Sequence, residues 1–413
     1  MKKNKKIMAK ASDNNTITTG EIINVKVDLV EINDLYLQVI KSFKKMKGKK
    51  VWDPDKVSFV FDHYSPSPTI KAADNHKKIR EFCQNQNIKK LFDINSGVCH
   101  QVLPEAGLVY PGMVLIATDS HTTTHGAFGA FGTGVGATDL ATILLNGELW
   151  IKVPEIIKIE IEGELSPGVM AKDVILNILG QLGQEAAVYK AIDFQGKVVE
   201  EMSIDERMVL CNMAVEMGAQ TAYIQPDQKT TDFLEERVKK EFDIPVTDDD
   251  FKYQQVYNFN ISDLTPMAAV PDSIDKVREL NKIDSSIEID QVFIGTCTGG
   301  RLNDIKTAAK ILEGKEIAEK VRLVVIPASR EVYNQAIEDG YIQKLIKSGA
   351  TISNPGCGPC LGAHQGVLAP GEVCLTTSSR NFPGRMGSTE AEIYSVSPAT
   401  AAISALNGYL CSI

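Results

Sequence analysis

Two cysteines two residues apart stand in a loop of Gly and Pro, Asn354-Pro355-Gly356-Cys357-Gly358-Pro359-Cys360-Leu361-Gly362. A third occupies an equally glycine-rich turn, Gly295-Thr296-Cys297-Thr298-Gly299-Gly300. Three thiolates satisfy three irons of a four-iron, four-sulfur cluster and leave one iron open to substrate. A structural zinc site is a second reading, with His364 as the nearest fourth ligand. A redox pair is a third, since Cys-Gly-Pro-Cys has thioredoxin-like spacing, although no Trp precedes it and the chain is far longer than one such unit. The cysteines alone leave all three open.

The other chemically able residues also cluster in short stretches. Asp62-His63 ends a predicted strand, where open α/β sheets place chemistry, although by itself the pair reads as a capping Asp beside a surface His. Cys99-His100-Gln101 follows another short strand. Ala117-Thr118-Asp119-Ser120-His121-Thr122-Thr123-Thr124-His125-Gly126 runs into a Gly/Ala-rich segment that lets a backbone or a ligand approach closely. No Gly-Lys-Ser/Thr closes that run, so it is not a phosphate loop. A hydrolase triad in Asp119-Ser120-His121 is disfavoured, because consecutive side chains diverge and no Gly-x-Ser-x-Gly elbow is present. Asn212 and Glu216 lie four apart on a predicted helix and so on one face, which alone describes a surface pair. Arg380 and Arg385, in Thr376 to Arg385, offer two guanidinium forks for carboxylates, or form an ordinary surface turn. Of the six histidines, His63, His100, His121, His125 and His364 fall in these loops and only His76 in an ordinary helix. Such a set fits acid–base chemistry on a carboxylate beside a metal cluster.

Elements able to position these residues alternate as α/β. A chain of 413 residues is too long for one core. Strands are expected over 19–30, 57–61, 91–94, 156–161, 291–294 and 321–326, and helices over 37–47, 70–86, 171–182, 208–217, 304–312 and 332–348. The Lys cluster of 37–47 reads as a solvated face. Residues 225–265, with Asp248-Asp249-Asp250, read as connecting structure. Boundaries at Pro154 and near 267–273 give three α/β domains, 1–153, 154–270 and 271–413, the last carrying the cysteines. The formal charge of −9 argues against a nucleic-acid surface. Eight cysteines without framework spacing indicate a reducing compartment. Met1-Lys2-Lys3-Asn4-Lys5-Lys6 resembles a signal-peptide start, but no apolar core follows, and no run approaches the ~20 apolar residues of a membrane span. A cytoplasmic protein is expected.

Together these stretches resemble the aconitase superfamily, and within it the separate large subunits of the isopropylmalate dehydratase and homoaconitase type. The resemblance covers nearly the whole chain and keeps the family's motif order. It implies three α/β domains around one 4Fe-4S cluster per large subunit, held by Cys297, Cys357 and Cys360. It further implies that Asp62 and His63 assist the leaving hydroxyl with His100 beside them. Asp119, His121 and Glu216 would hold water and hydroxyl, Asn212 would support the cluster, and Arg380 and Arg385 would bind carboxylate. Gln38 stands near a position where aconitases use a Gln against substrate. Ser379 replaces the family's usual Asn, altering contacts to cluster or substrate. No Gly-Ser-Ser-Arg stretch occurs in the sequence up to Ile413, so the family's fourth, swivel domain is expected to be missing from this chain. The resemblance therefore implies a separate small subunit that carries the catalytic serine. The expected activity is a hydro-lyase acting on an alkyl-substituted malate, 3-isopropylmalate first, with 2-methylmalate or 2,3-dimethylmalate dehydratase and homoaconitase as alternatives. An RNA-binding aconitase-like regulator is disfavoured by charge and by the missing domain.

Overall fold

The structure, a computed structural model, describes residues 3–245 and 251–411; Asp248-Asp249-Asp250, Met1-Lys2 and Ile413 lie outside them. Three mainly parallel sheets carry the architecture. The first orders its five strands as Lys90–Phe92, Val57–Val60, Leu29–Asn33, Val114–Ala117 and Phe131–Gly134. All its pairings are parallel. Val57–Val60 and Val114–Ala117 are buried on both faces, which is why they read as unbroken apolar runs. The second sheet is parallel, ordered Thr221–Ile224, Ala191–Gln195, Ile156–Glu162, Gln255–Asn260. The third has seven strands. Glu392–Val396, Val373–Thr376, Gln291–Gly295, Arg322–Ile326 and Thr351–Ile352 run parallel, and Met267–Ala269 with Val277–Glu279 adds an antiparallel edge.

Strand order explains where the chemistry lies. In the first sheet Leu29–Asn33 pairs with both Val57–Val60 and Val114–Ala117, so the order reverses around it. In the third, Gln291–Gly295 pairs with both Arg322–Ile326 and Val373–Thr376. Crevices at the carboxyl ends of strands beside such reversals are the binding positions of open α/β sheets. Asp34, Asp62 and Asp119 follow the first set of strands; Cys297 and the Arg380 loop follow the second.

Several elements depart from their expected bounds. Segment 19–30 divides at Asp28, whose carboxylate accepts from Val114 N at 2.9 Å. Its first half, Ile22–Lys26, leaves the sheet to form an antiparallel ribbon with Glu148–Lys152. Cys99-His100-Gln101 opens a helix, Cys99–Glu105, rather than lying in a loop. The helix expected over 208–217 is α-helical only for Ile204–Met213 and tightens to 3-10 over Ala214–Met217. The helix expected over 332–348 breaks into Arg330–Glu338 and Tyr341–Lys347 at left-handed Gly340. Residues 225–265 are more than connection, since Gln228–Glu235 is a helix and Gln255–Asn260 a sheet strand. Among the described residues no helix is long and apolar enough to cross a membrane.

A short relay ties the first and third sheets together beside the site. Arg301 Nε donates to Gln101 Oε1 at 3.0 Å; Gln101 Nε2 and Ser329 Oγ each donate to Glu105 Oε1 at 2.8 Å. Burial pushes the Glu105 carboxyl up to about 7 despite these donors. The folded chain then holds a proton that the unfolded chain has released above about pH 4.5, so stability declines as pH rises from about 4.5 to 7. Glu105→Gln keeps the acceptor without the charge. It should be more stable than the wild type at pH 8, by about 2–3 kcal/mol at most, and not at pH 4. Urea titrations at the two pH values check this; an equal difference at both would mean Glu105 ionises normally.

Candidate active site

The three cysteines converge from two loops. Cys297 lies in the 3-10 turn Thr296–Thr298, after Gln291–Gly295, and that turn is fastened by Thr377: Gly295 N donates to its hydroxyl at 2.9 Å and Thr298 Oγ1 to its carbonyl at 2.7 Å. Cys357 N donates to Asp62 O at 2.8 Å, binding the second loop to the end of the first sheet. Between the two loop cysteines, Gly358 has φ +56°, and a Cβ there would meet Ile326 Cδ1 at 2.2 Å. Only glycine fits that turn. Cys297 and Cys357 pack together with Val98. Burial pushes both thiols up, Cys297 to about 11. Arg385 Nη2 is 3.4 Å from Cys360 Sγ. Around this set, buried Asn212 Oδ1, Thr296 Oγ1 and Arg385 Nε have no protein partner. Three buried thiols ringed by unsatisfied polar groups fit a polar guest that binds thiolate. His364 Nε2 lies 2.6 Å from the Pro66 carbonyl, so that nitrogen is engaged away from the thiols. One ring nitrogen of the fourth ligand that the zinc reading needs is thus already engaged.

Beside the thiols lies a cleft of about 300 Å³ whose walls include His63, Asp119, His121, Arg380 and Arg385. His63 Nδ1 donates to Asp62 Oδ1 at 2.6 Å, and Asp62 Oδ2 accepts from Cys99 N at 3.0 Å. His100 Nε2 stands 3.2 Å and His63 Nε2 3.8 Å from the Asp119 carboxylate, which also accepts from His121 N at 2.8 Å. Burial would push Asp119 up; His100 and His121 overcome it and hold the carboxyl well below its ordinary range. Glu216 behaves alike. Burial raises it, but His121 Nε2 and Arg380 Nε, each 2.8 Å from Oε1, keep it low. The Asp62-His63 pair is thus no surface feature, with Asp62 accepting from the first N–H of the helix Cys99–Glu105, and Asn212 and Glu216, 0% and 8% exposed, are no surface pair. The loop after Thr376 is no ordinary surface turn either: Ser378, Ser379 and Asn381 are buried. Buried Lys172 donates to the Ser378 carbonyl at 2.8 Å and holds that loop from beneath. Burial pushes its ammonium down to about 8.

The structure also marks positions that sequence reasoning misplaced or missed. Gln38 is exposed on the helix Leu37–Lys45 and is not among the cleft's lining residues; Asn33, Leu35 and Tyr36, just before it, are. Asn33 Oδ1 is buried without a partner. Ser379 Oγ lies 2.9 Å from His121 Nε2, so the hydroxyl joins the histidine network directly. His76 is buried rather than on an ordinary helix face. It donates to Asp34 Oδ2 at 2.9 Å, and Asp34 accepts from His63 N at 3.1 Å and Tyr64 N at 2.8 Å. Glu31, fully buried with no hydrogen-bond partner for either oxygen, is pushed well up by burial, then by Asp62 and Asp119. A Glu inside an apolar strand was the available signal for it.

Residues 5–408 match the aconitase family (aconitate hydratase). The chain belongs to the aconitase family. It is 48% identical to the 3-isopropylmalate dehydratase large subunit 1 of Methanopyrus kandleri, over 98% of this chain and 96% of that protein. It is 45% identical to the probable methanogen homoaconitase large subunit of Methanothermobacter thermautotrophicus, over 99% and 97%. Among solved structures, the holo-form of Thermococcus kodakaraensis aconitase X covers 89% of this chain and 88% of that one at TM-score 0.52 and 14% identity, a likeness of fold alone. This aconitase-family chain is accordingly a hydro-lyase component, and its resemblance to the family reaches from the motifs through the fold.

Proposed function

We propose that the chain is the large subunit of a hydro-lyase that reversibly eliminates water from an alkyl-substituted malate, 3-isopropylmalate foremost. The carrying observation is that His63, Asp119, His121, Arg380 and Arg385 line one cleft, with His100 3.2 Å from the Asp119 carboxylate and the buried thiol of Cys360 3.4 Å from Arg385. Cys297, Cys357 and Cys360 would hold one 4Fe-4S cluster, which when bound supplies a Lewis acid for a departing hydroxyl. The chain's own residues supply the rest. Arg380 and Arg385 fork onto substrate carboxylates. His63, oriented by Asp62, and His100 deliver a proton to the leaving oxygen. Asp119 and His121 hold the hydroxyl group, with His121 fixed by Glu216, and Asn212 steadies the Cys297 turn. Leu35, Tyr36, Val135 and Leu361 give an otherwise polar cleft an apolar side suited to an alkyl substituent. The base that removes the C–H proton arrives on a separate small, swivel-domain subunit carrying the catalytic serine. Relatives named as large subunits support that partner.

Homoaconitase is a second reading, favoured by the relatives that carry that name at 45% identity and above. Dehydration of 2-methylmalate or 2,3-dimethylmalate is a third, favoured by Ser379. The chain divides as 1–153, 154–270 and 271–413, with strand Met267–Ala269 crossing onto the third sheet. The enzyme works in the cytoplasm, without nucleic acid. Reconstitution tests the reading. Cluster-loaded large subunit, with and without a small subunit, is assayed on isopropylmalate, homoaconitate, 2-methylmalate and 2,3-dimethylmalate. Turnover of isopropylmalate only with the partner is expected, since a methylene misfit costs about 1–3 kcal/mol in such a pocket. Full turnover by the large subunit alone would overturn the two-subunit mechanism.

A further inference from the structure

Beside the cleft the surface changes character. In the strand Glu148–Lys152, alternation turns Leu149 and Ile151 inward and Trp150 outward, leaving it 61% exposed. Trp150 and Tyr189, the latter 44% exposed, face a groove of about 370 Å³. Ser120, Gly134 and Val135 line both this groove and the cleft, so the two form one continuous surface. Among the described residues lining the groove Asp139 is the only charged one, while Glu148 and Lys152 flank Trp150 on the outward face of its strand. Phe382, at 46% exposed, adds another aromatic on the loop between Arg380 and Arg385. Solvated aromatic faces carry a free-energy cost of about 25 cal/mol per Å² that only a covering surface removes.

We propose that this groove is the seat of the small subunit, with Trp150 as its anchor. The inference rests on the two-subunit reading above and gives that partner a place. A protein that brings a base to the cleft has to cover its mouth, and the surface continuous with that mouth is the groove. Its chemistry also matches a protein occupant: aromatic, poor in charge, and rimmed by the polar groups of the cleft, as the centre of a protein interface is. The seated subunit presents an apolar face to Trp150 and Tyr189, and a polar segment from it passes over Ser120 toward Arg380. A second copy of this chain would cover the same aromatics but bring no base.

The experiment uses the full cluster-loaded chain and a separately expressed small subunit of the swivel-domain type from the same genome. The chain has two tryptophans, and Trp52 is half-buried. Emission of the wild type should therefore shift to the blue as the partner covers Trp150. Trp150→Glu should weaken association about thirtyfold and Tyr189→Ala about tenfold, as expected for an anchor and its neighbour. Both variants should keep wild-type cluster absorbance and melting temperature, and should recover wild-type kcat at saturating partner. Wild-type affinity in both variants would overturn this surface while leaving the two-subunit reading standing. A wild type that binds no partner yet is fully active would instead overturn that reading, and this one with it. Conversion of a large-subunit dimer to monomer, with partner affinity unchanged, would reassign the groove to self-association and overturn the proposal.

Discussion

Cys357→Ser should yield a folded chain that holds no iron–sulfur cluster and shows no measurable dehydration. The loop's frame does not depend on the sulfur, because it is the peptide N–H of Cys357 that bonds Asp62 O at 2.8 Å. What is lost is the ligand. A serine hydroxyl ionises far less readily than a thiol, and burial already disfavours charge at this position. Wild-type protein purified without oxygen should contain about four irons and be brown, as three-cysteine ligation with one open iron predicts. Cys83→Ser is the control. That thiol is buried in the helix Ile70–Gln86 within the first sheet's core, in a cluster that holds none of the three loop cysteines, and its loss should leave iron content unchanged. Iron, sulfide and visible absorbance are the measurements. Retention of four irons by Cys357→Ser would remove the cysteine triad from the mechanism, as would zinc in the anaerobic wild type.

What the sequence discloses about this site depends on how local each feature is. The helix Ile70–Gln86 is fully legible. Thr69 caps it by accepting from Ala72 N, and Asn87 ends it in a left-handed turn. The cysteine loop is legible for the same reason, since its Cys-x-x-Cys spacing and its glycine turn sit within nine residues. The link from Glu216 to His121, Ser379 and Arg380 is not. It joins residues up to 258 positions apart, and only the packing of separate sheets brings them within hydrogen-bond reach. Periodicity also mistook the helix break at Gly340 for continuity, because apolar spacing persists on both sides of a residue whose φ of +76° ends one helix and caps the next. Gln38 illustrates a different limit. A helix beginning one residue earlier or later turns its side chains by about 100°, so a residue's face cannot be read without its register.

The histidines give the second large effect, and they divide by mechanism. His63→Ala and His100→Ala should each lower kcat about a hundredfold or more with cluster absorbance intact, the usual loss when a positioned proton donor is removed. His76 is expected to act through His63. It is not among the cleft's lining residues, yet its Nε2 bonds Asp34, whose two oxygens grip the peptide N–H groups of His63 and Tyr64. Its ring stacks on Phe61 with centroids 4.1 Å apart, and Ser67 Oγ lies 2.8 Å from Nδ1. Its place is thus fixed on three sides. Removing the ring should leave Asp34 short of one buried donor, cost about 1–3 kcal/mol of stability, and lower kcat about tenfold by loosening the aim of His63. His76→Gln can still present an N–H to Asp34 and should recover much of that loss. Steady-state kcat and KM, cluster absorbance and urea midpoints for His63→Ala, His76→Ala and His76→Gln separate the cases. A hundredfold loss in His63→Ala beside a tenfold, Gln-rescued loss in His76→Ala is the expected pattern. Equal losses at both positions, tracking stability and unrelieved by Gln, would show that these histidines serve folding and that the proton comes from elsewhere.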